Sequence, residues 1–100
     1  AAAANFTVTS LAMAQRLFAA AGVPLDAAQP LVRAVVDNSF SLGPAAALTG
    51  PVARGDVGTV RAQIAAVTEW DRDLAADFVA MVRATGRLAG TLDEIEQELP

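Results

Sequence analysis

Residues 49–56 form the one stretch whose residue types could support binding chemistry. Arg54 is the only basic residue between Arg33 and Arg61, and it is predicted to lie in a flexible loop. Asp56 follows it where a new helix is predicted to begin. A guanidinium can hold a carboxylate or phosphate through two parallel hydrogen bonds. The N–H groups at a helix N-terminus also favour an anion. The stretch therefore offers an anion site. The alternative, which the residue types alone favour, is that Arg54 pairs with Asp56 or bonds the carbonyls of another helix.

The rest of the composition removes most catalytic chemistry. The chain has no His, Cys or Tyr, and all seven basic residues are Arg. The commonest general base, the thiolate nucleophile and the Schiff-base amine are therefore missing. The carboxylates elsewhere lack the spacing of metal ligands, so no metal site is predicted. We do not expect the chain to be a complete enzyme by itself.

The net charge and the hydropathy of the chain argue against nucleic-acid and membrane partners. The formal net charge is −4 and the pI is about 4.5. An acidic chain without a basic stripe is not expected to bind nucleic acid. Polar residues interrupt the apolar run over residues 1–22, which therefore does not have the composition of a membrane span. The same run lacks the basic start of a signal peptide, so the sequence predicts a cytoplasmic location and no membrane partner.

Apolar periodicity predicts an all-α fold with about five helices. The predicted helices cover residues 2–21, about 26–41, 57–67, about 71–85 and 92–99. Gly22 and Gly43 are expected to end the first two helices. Asp56 is predicted to be the N-cap of the third helix. Thr91 is predicted to cap the last, with Glu94 completing a capping box.

The first predicted helix is apolar over an unusually wide face. Two stripes lie side by side along it, one through Leu11 and the other through Leu17. A helix at the surface of a bundle needs only one such stripe. The pattern fits either the central helix of one bundle or a helix that crosses a subunit boundary. Apolar residues make up 54% of the chain, and this excess favours association. The candidate interface residues are Phe6, Met13, Leu17 and Phe18.

The central stretch of the chain resembles part of a known bacterial domain. The resemblance lies in residues 47–56, Ala-Leu-Thr-Gly-Pro-Val-Ala-Arg-Gly-Asp, and in Thr59 and Val60 after them. This domain is the C-terminal all-α domain, of unknown function, of proteins that begin with a Rossmann-like NADP-binding domain. Ala4, Asn5 and Phe6 resemble the segment after the crossover between the two domains. More distantly, the architecture is similar to the C-terminal dimerisation domains of pyrroline-5-carboxylate reductase, ketopantoate reductase and phosphogluconate dehydrogenase.

The resemblance implies that residues 1–100 are a single helical domain taken from a longer oxidoreductase. The absent Rossmann domain would bind NADP at its glycine-rich turn. The helical domain would form a homodimer and one wall of the substrate cleft. Asn5 and Thr49 would bond the polar head of the substrate and Arg54 its anion. The residues expected to face the nicotinamide end of the cleft are Asn5, Thr49, Gly50, Pro51 and Arg54.

Two positions depart from the pattern of that family. Gln63 stands where His is common, and Phe78 stands where Tyr often occurs. A second class of function therefore remains open, a helical protein–protein interaction module without a catalytic parent. That alternative predicts that Arg54 is held in a local ion pair.

Overall fold

The computed structural model describes residues 1–100 and contains helices and no strands, which confirms the predicted all-α class. No helix combines the length and the apolarity that a membrane crossing requires. Packing contacts divide the chain into two compact units, Ala1–Ser41 and Leu42–Pro100. The elements in chain order are α1 (Ala2–Ala20), α2 (Leu25–Leu42), α3 (Pro44–Ala47), α4 (Pro51–Arg54), α5 (Val57–Trp70), α6 (Arg72–Ala89), α7 (Leu92–Ile95) and a 3-10 helix (Glu96–Glu98).

The first unit consists of α1 and nearly all of α2. As predicted, α1 ends at a glycine, because Gly22 adopts a left-handed φ of 79°. The N–H of Val23 then bonds the carbonyl of Phe18 at 2.9 Å, and the N–H of Gly22 bonds that of Ala19 at 3.0 Å. These two hydrogen bonds form the Schellman motif, which ends a helix while satisfying its last carbonyls. Asp26 lies in the first turn of α2.

The second unit is built on α5 and α6. The apolar stripe predicted for α5 is confirmed, since Val60, Ile64 and Val67 are its buried residues. The apolar spacing of α6 predicts Leu74, Phe78, Met81 and Val82 on its inner face, which is partly wrong: Met81 is 40% exposed, and Val79 is buried instead. The core cluster consists of Val60, Ile64, Val79, Val82 and Ile95.

A close approach between α6 and α7 explains why α6 is longer than predicted. Gly86, predicted to loosen the chain after residue 85, is buried inside α6, and the helix ends at Gly90 with φ of 76°. A Cβ atom on Gly86 would lie 2.7 Å from Cδ1 of Ile95 and 3.3 Å from the backbone Cα of Leu92. Only glycine therefore allows α7 to pack this closely on α6.

The predicted last helix, residues 92–99, is α7 followed by the 3-10 helix. Two ion pairs fasten this segment to the longer helices. Arg61 on α5 donates to Glu98, with both Nε and Nη2 at 2.7 Å from Oε2, and Nε of Arg83 on α6 lies 3.3 Å from Oε1 of Glu96. Ile95, which immediately precedes Glu96, is fully buried. The sequence predicts that the carboxylates of this last helix are solvated. In the structure, those of Glu96 and Glu98 also attach the segment to α6 and α5.

Candidate functional site

The predicted loop around Arg54 is a helical turn. Residues Pro51–Arg54 form α4, which begins after Gly50 at φ of 92° and ends at Gly55 at φ of 67°. The N–H of Arg54 bonds the carbonyl of Gly50 at 3.2 Å, and the N–H of Gly55 bonds that of Val52 at 3.1 Å. Proline at the first helical position and glycine just after the last favour such a turn. Arg54 therefore projects from a defined turn rather than from an open loop.

The side chain of Arg54 is 63% exposed, and its nearest charged partner is Asp56. Nη2 of Arg54 lies 3.9 Å from Oδ2 of Asp56, which is the local pairing that the residue types favoured. At 3.9 Å the contact is too long for a hydrogen bond. An exposed pair of this kind contributes little to stability. The geometry therefore leaves Arg54 able to exchange this contact for a ligand anion at small cost.

Asp56 occupies the N-cap of α5, where the sequence places it. Oδ1 accepts from the backbone N–H of Thr59 at 3.2 Å, and Oδ2 accepts from the Thr59 hydroxyl at 2.8 Å. These two bonds, with the nearby charge of Arg54, lower the pKa of Asp56 below its ordinary value. The carboxylate thus already occupies this helix end and takes the Thr59 N–H that an outside anion would use there. Of the two predicted anion donors, only Arg54 remains suited to the task.

The Asp56 cap gives a pH-dependent prediction. Asp56→Ala should lower Tm by a few degrees at neutral pH because the first turn of α5 loses its cap. A lowered pKa in the folded state means that the charged cap stabilises fully above about pH 4 and loses this effect as the pH falls through the lowered value. The difference in Tm between wild type and Asp56→Ala should therefore shrink in acid. Asp56→Asn is the matched control, since Asn also caps helices well; a drop equal to that of Ala would contradict the cap.

Thr91 holds the position before α7 but does not cap it with its side chain, so the predicted capping box is wrong. Its hydroxyl instead donates to the carbonyl of Val52 in α4, at 2.7 Å. This bond joins positions 39 apart in the sequence. Local sequence patterns carry no signal for such a contact, so the sequence does not predict it.

The remaining candidate cleft residues fall in different units. Gly50, Pro51 and Arg54 lie in one turn of the second unit, with the exposed Thr49 immediately before it. Asn5 lies on α1 of the first unit, where its side chain is exposed and its N–H bonds the carbonyl of Ala1 at 3.2 Å.

The two positions that depart from the family pattern differ in burial. Gln63 is exposed on α5. Phe78 is half-buried and packs against the core cluster of the second unit. In this chain Phe78 therefore fills the core, and its ring needs no polar partner there.

The first unit has almost no core of its own. Ala28 is the one buried residue among its 41 positions. Of the predicted interface residues, Phe6 is 69% exposed, whereas Met13, Leu17 and Phe18 are half-buried. Other large apolar side chains of this unit are also exposed: Val8, Leu11, Leu25, Leu31, Val35, Val36 and Phe40.

A groove of about 530 Å³ runs between α1 and α2 within the first unit. Leu11 and Phe18 of α1 line it together with apolar residues of α2. Polar side chains, among them Gln15, Arg33 and Asp37, also line it. The groove adds to the apolar surface that this unit leaves open.

Comparison with known proteins bears on most of the chain. No curated protein and no solved structure matches it. Residues 1–85 match the family described as Domain of unknown function (DUF2520). The match takes in α1 to α5 and most of α6, including the turn that carries Arg54. The chain therefore belongs to the DUF2520 family.

Proposed function

We propose that this chain is the dimerisation and substrate-cleft domain of an NADP-dependent oxidoreductase that acts in the cytoplasm. In this proposal a Rossmann domain of the same protein binds NADP, and the helical domain joins two subunits and closes one side of the cleft. The support is the resemblance of residues 47–56 to domains of this kind, together with the apolar surface of the first unit. That surface is the observation on which the proposal chiefly rests.

The first unit leaves many large apolar side chains exposed. Eight large apolar side chains of the first unit are at least 38% exposed, on two helices of 19 and 18 residues. Soluble monomers rarely show contiguous apolar patches of more than a few hundred Å². Two helix faces, each about 27 Å long, offer an area on the order of the 800 Å² per partner that a stable interface buries. We therefore expect a permanent partner to cover this exposed apolar area.

A second copy of the chain is the partner that we propose. In a two-fold symmetric dimer the same patch serves both subunits, so one apolar surface is sufficient to form the whole interface. The exposed residues Phe6 and Phe40 lie on different helices of the first unit, so both helices would contribute. Large aromatic side chains are also typical anchors of interfaces.

In the cleft, Arg54 is proposed to hold an anionic group of the substrate, and Thr49 of the same unit its polar head. The support for Arg54 is its exposure and its weak contact with Asp56. Asp56 is nevertheless the nearest charged partner of Arg54, which favours the second candidate function, a helical interaction module in which Arg54 forms only a local pair. Binding of a simple anion separates the two candidates.

Arg54→Ala should weaken anion binding at least tenfold while leaving the fold intact. A guanidinium and a carboxylate or phosphate form charge-assisted hydrogen bonds, each worth about 1.5–3 kcal/mol. The measurement is calorimetry with inorganic phosphate and with succinate, accompanied by circular dichroism. Arg87→Ala, which removes an exposed Arg near the end of α6, is the control and should bind as wild type does. Equal affinity of wild type and Arg54→Ala, or no binding at all, would favour the interaction module.

A further inference from the structure

The C-terminal strap, defined as residues 91–99, lies beyond the residues that match the family. It is nevertheless well attached to the second unit. Ile95 is fully buried in the core cluster, with Leu92 and Leu99 packed against that cluster. The strap also carries Glu96 and Glu98, which pair with α6 and α5. These contacts fix the strap independently of the turn that carries Arg54.

One side-chain hydrogen bond joins the strap to a backbone carbonyl of that turn. The carbonyl oxygen of Val52 accepts two hydrogen bonds, one from the Thr91 hydroxyl at 2.7 Å and one from the N–H of Gly55 at 3.1 Å. The second of these bonds closes the C-terminal end of α4. The same carbonyl therefore joins the strap to the residue that follows Arg54.

A helix as short as α4 requires such support. Four residues are far too few to form a stable helix on their own, because nucleation costs more than a few internal bonds return. Packing of Val52 against the core cluster holds one side of the turn. The bond from Thr91 fixes the direction of the Val52 carbonyl, and with it the position of the Gly55 N–H.

We propose that Thr91 is a positioning residue that holds α4, and with it the Arg54 side chain, in place. The significance of this role for ligand binding rests on the proposed function of Arg54. The role itself can be measured without any ligand. Through Thr91, the C-terminal strap thus positions α4 in addition to covering the core.

Amide hydrogen exchange, measured by NMR, tests the inference. Thr91→Val removes the hydroxyl and keeps the shape of the side chain. The reporters are the N–H groups of Arg54, Gly55 and Asp56, which bond within the turn, and Ala75 in α6 is the reference. Loss of one hydrogen bond should speed exchange of the three reporters about threefold to tenfold relative to Ala75.

Two control variants isolate the bond. The Thr68 hydroxyl also donates to a backbone carbonyl at 2.7 Å in a partly buried place, but within α5. Thr68→Val should therefore leave the three reporters unchanged relative to Ala75. Thr91→Ser restores a hydroxyl and should return their exchange to the wild-type rate. Equal acceleration at Ala75, the same effect from Thr68→Val, or no rescue by Ser would overturn the inference.

A second measurement needs no variant and so does not depend on Thr91→Val folding. In the wild-type protein the Thr91 hydroxyl proton and the Gly55 amide proton both point at the Val52 carbonyl oxygen. They should give a mutual NOE, and the hydroxyl proton should exchange slowly with water. A freely exchanging hydroxyl would contradict the bond. Failure of phosphate to bind would count against the role of Arg54 alone and would leave both of these results standing.

Discussion

Replacing Ile95 by Ala should lower the free energy of unfolding of the second unit by about 2–5 kcal/mol. Ile95 is fully buried, and it joins the core cluster of α5 and α6 although it comes from the short helix α7. The truncation removes three buried side-chain carbons and leaves a cavity beside Gly86. Gly86 has no side chain that could fill this cavity. A loss of this size is a large part of the stability of a small domain.

The measurement is urea unfolding followed by the fluorescence of Trp70, the only Trp of the chain, which lies at the end of α5. The midpoint should fall without a change in the dependence on urea. Leu88→Ala is the control, because Leu88 is a large apolar residue of α6 that is 46% exposed. It should cost less than about 1 kcal/mol. If Ile95→Ala cost no more than Leu88→Ala, the strap would not be part of the core.

Phe40→Asp should raise the dimer dissociation constant at least tenfold and leave each chain folded. Phe40 is 88% exposed in the single chain, so the substitution removes little contact within it. In the proposed dimer, however, the new carboxylate would be placed in an apolar interface without a partner. A tenfold change corresponds to about 1.4 kcal/mol, well below the cost of burying an unpaired charge.

Ser41→Asp is the matched control for Phe40→Asp. It adds the same charge one residue further along α2, also at an exposed position, but on the polar side of the helix. Sedimentation velocity should show a weakened dimer for Phe40→Asp and a wild-type dimer for Ser41→Asp. Equal behaviour of the two variants would remove α2 from the interface. Charged substitutions at Leu17 or Phe18 are less direct tests, because both side chains are already half-buried in the single chain.

The long helices could be predicted because their causes are local. The spacing of Val60, Ile64 and Val67 repeats once per helical turn, and these residues form the buried face of α5. The end of α1 at Gly22 and the start of α5 at Asp56 likewise depend on one residue and its neighbours. Such signals are complete within a few positions of the sequence.

The missed features depend on contacts that are distant in the sequence. Thr91 satisfies the local pattern of a capping residue, yet its hydroxyl bonds a carbonyl 39 positions away. Gly86 resembles a helix end, but the close packing of α7 explains its place inside α6. In α4 the glycine and proline that suggest an open loop instead delimit one helical turn. In each case tertiary packing selected among conformations that the local sequence leaves open.

The central claim, that the first unit forms a subunit interface, is tested most directly by sedimentation equilibrium of the wild-type chain at several concentrations. The chain has a mass of 10.2 kDa, so a dimer is easily distinguished from a monomer. We predict a dimer that persists into the low micromolar range, corresponding to a binding free energy of about −8 kcal/mol or better. A well-folded monomer at these concentrations would contradict the dimerisation role of the exposed apolar surface.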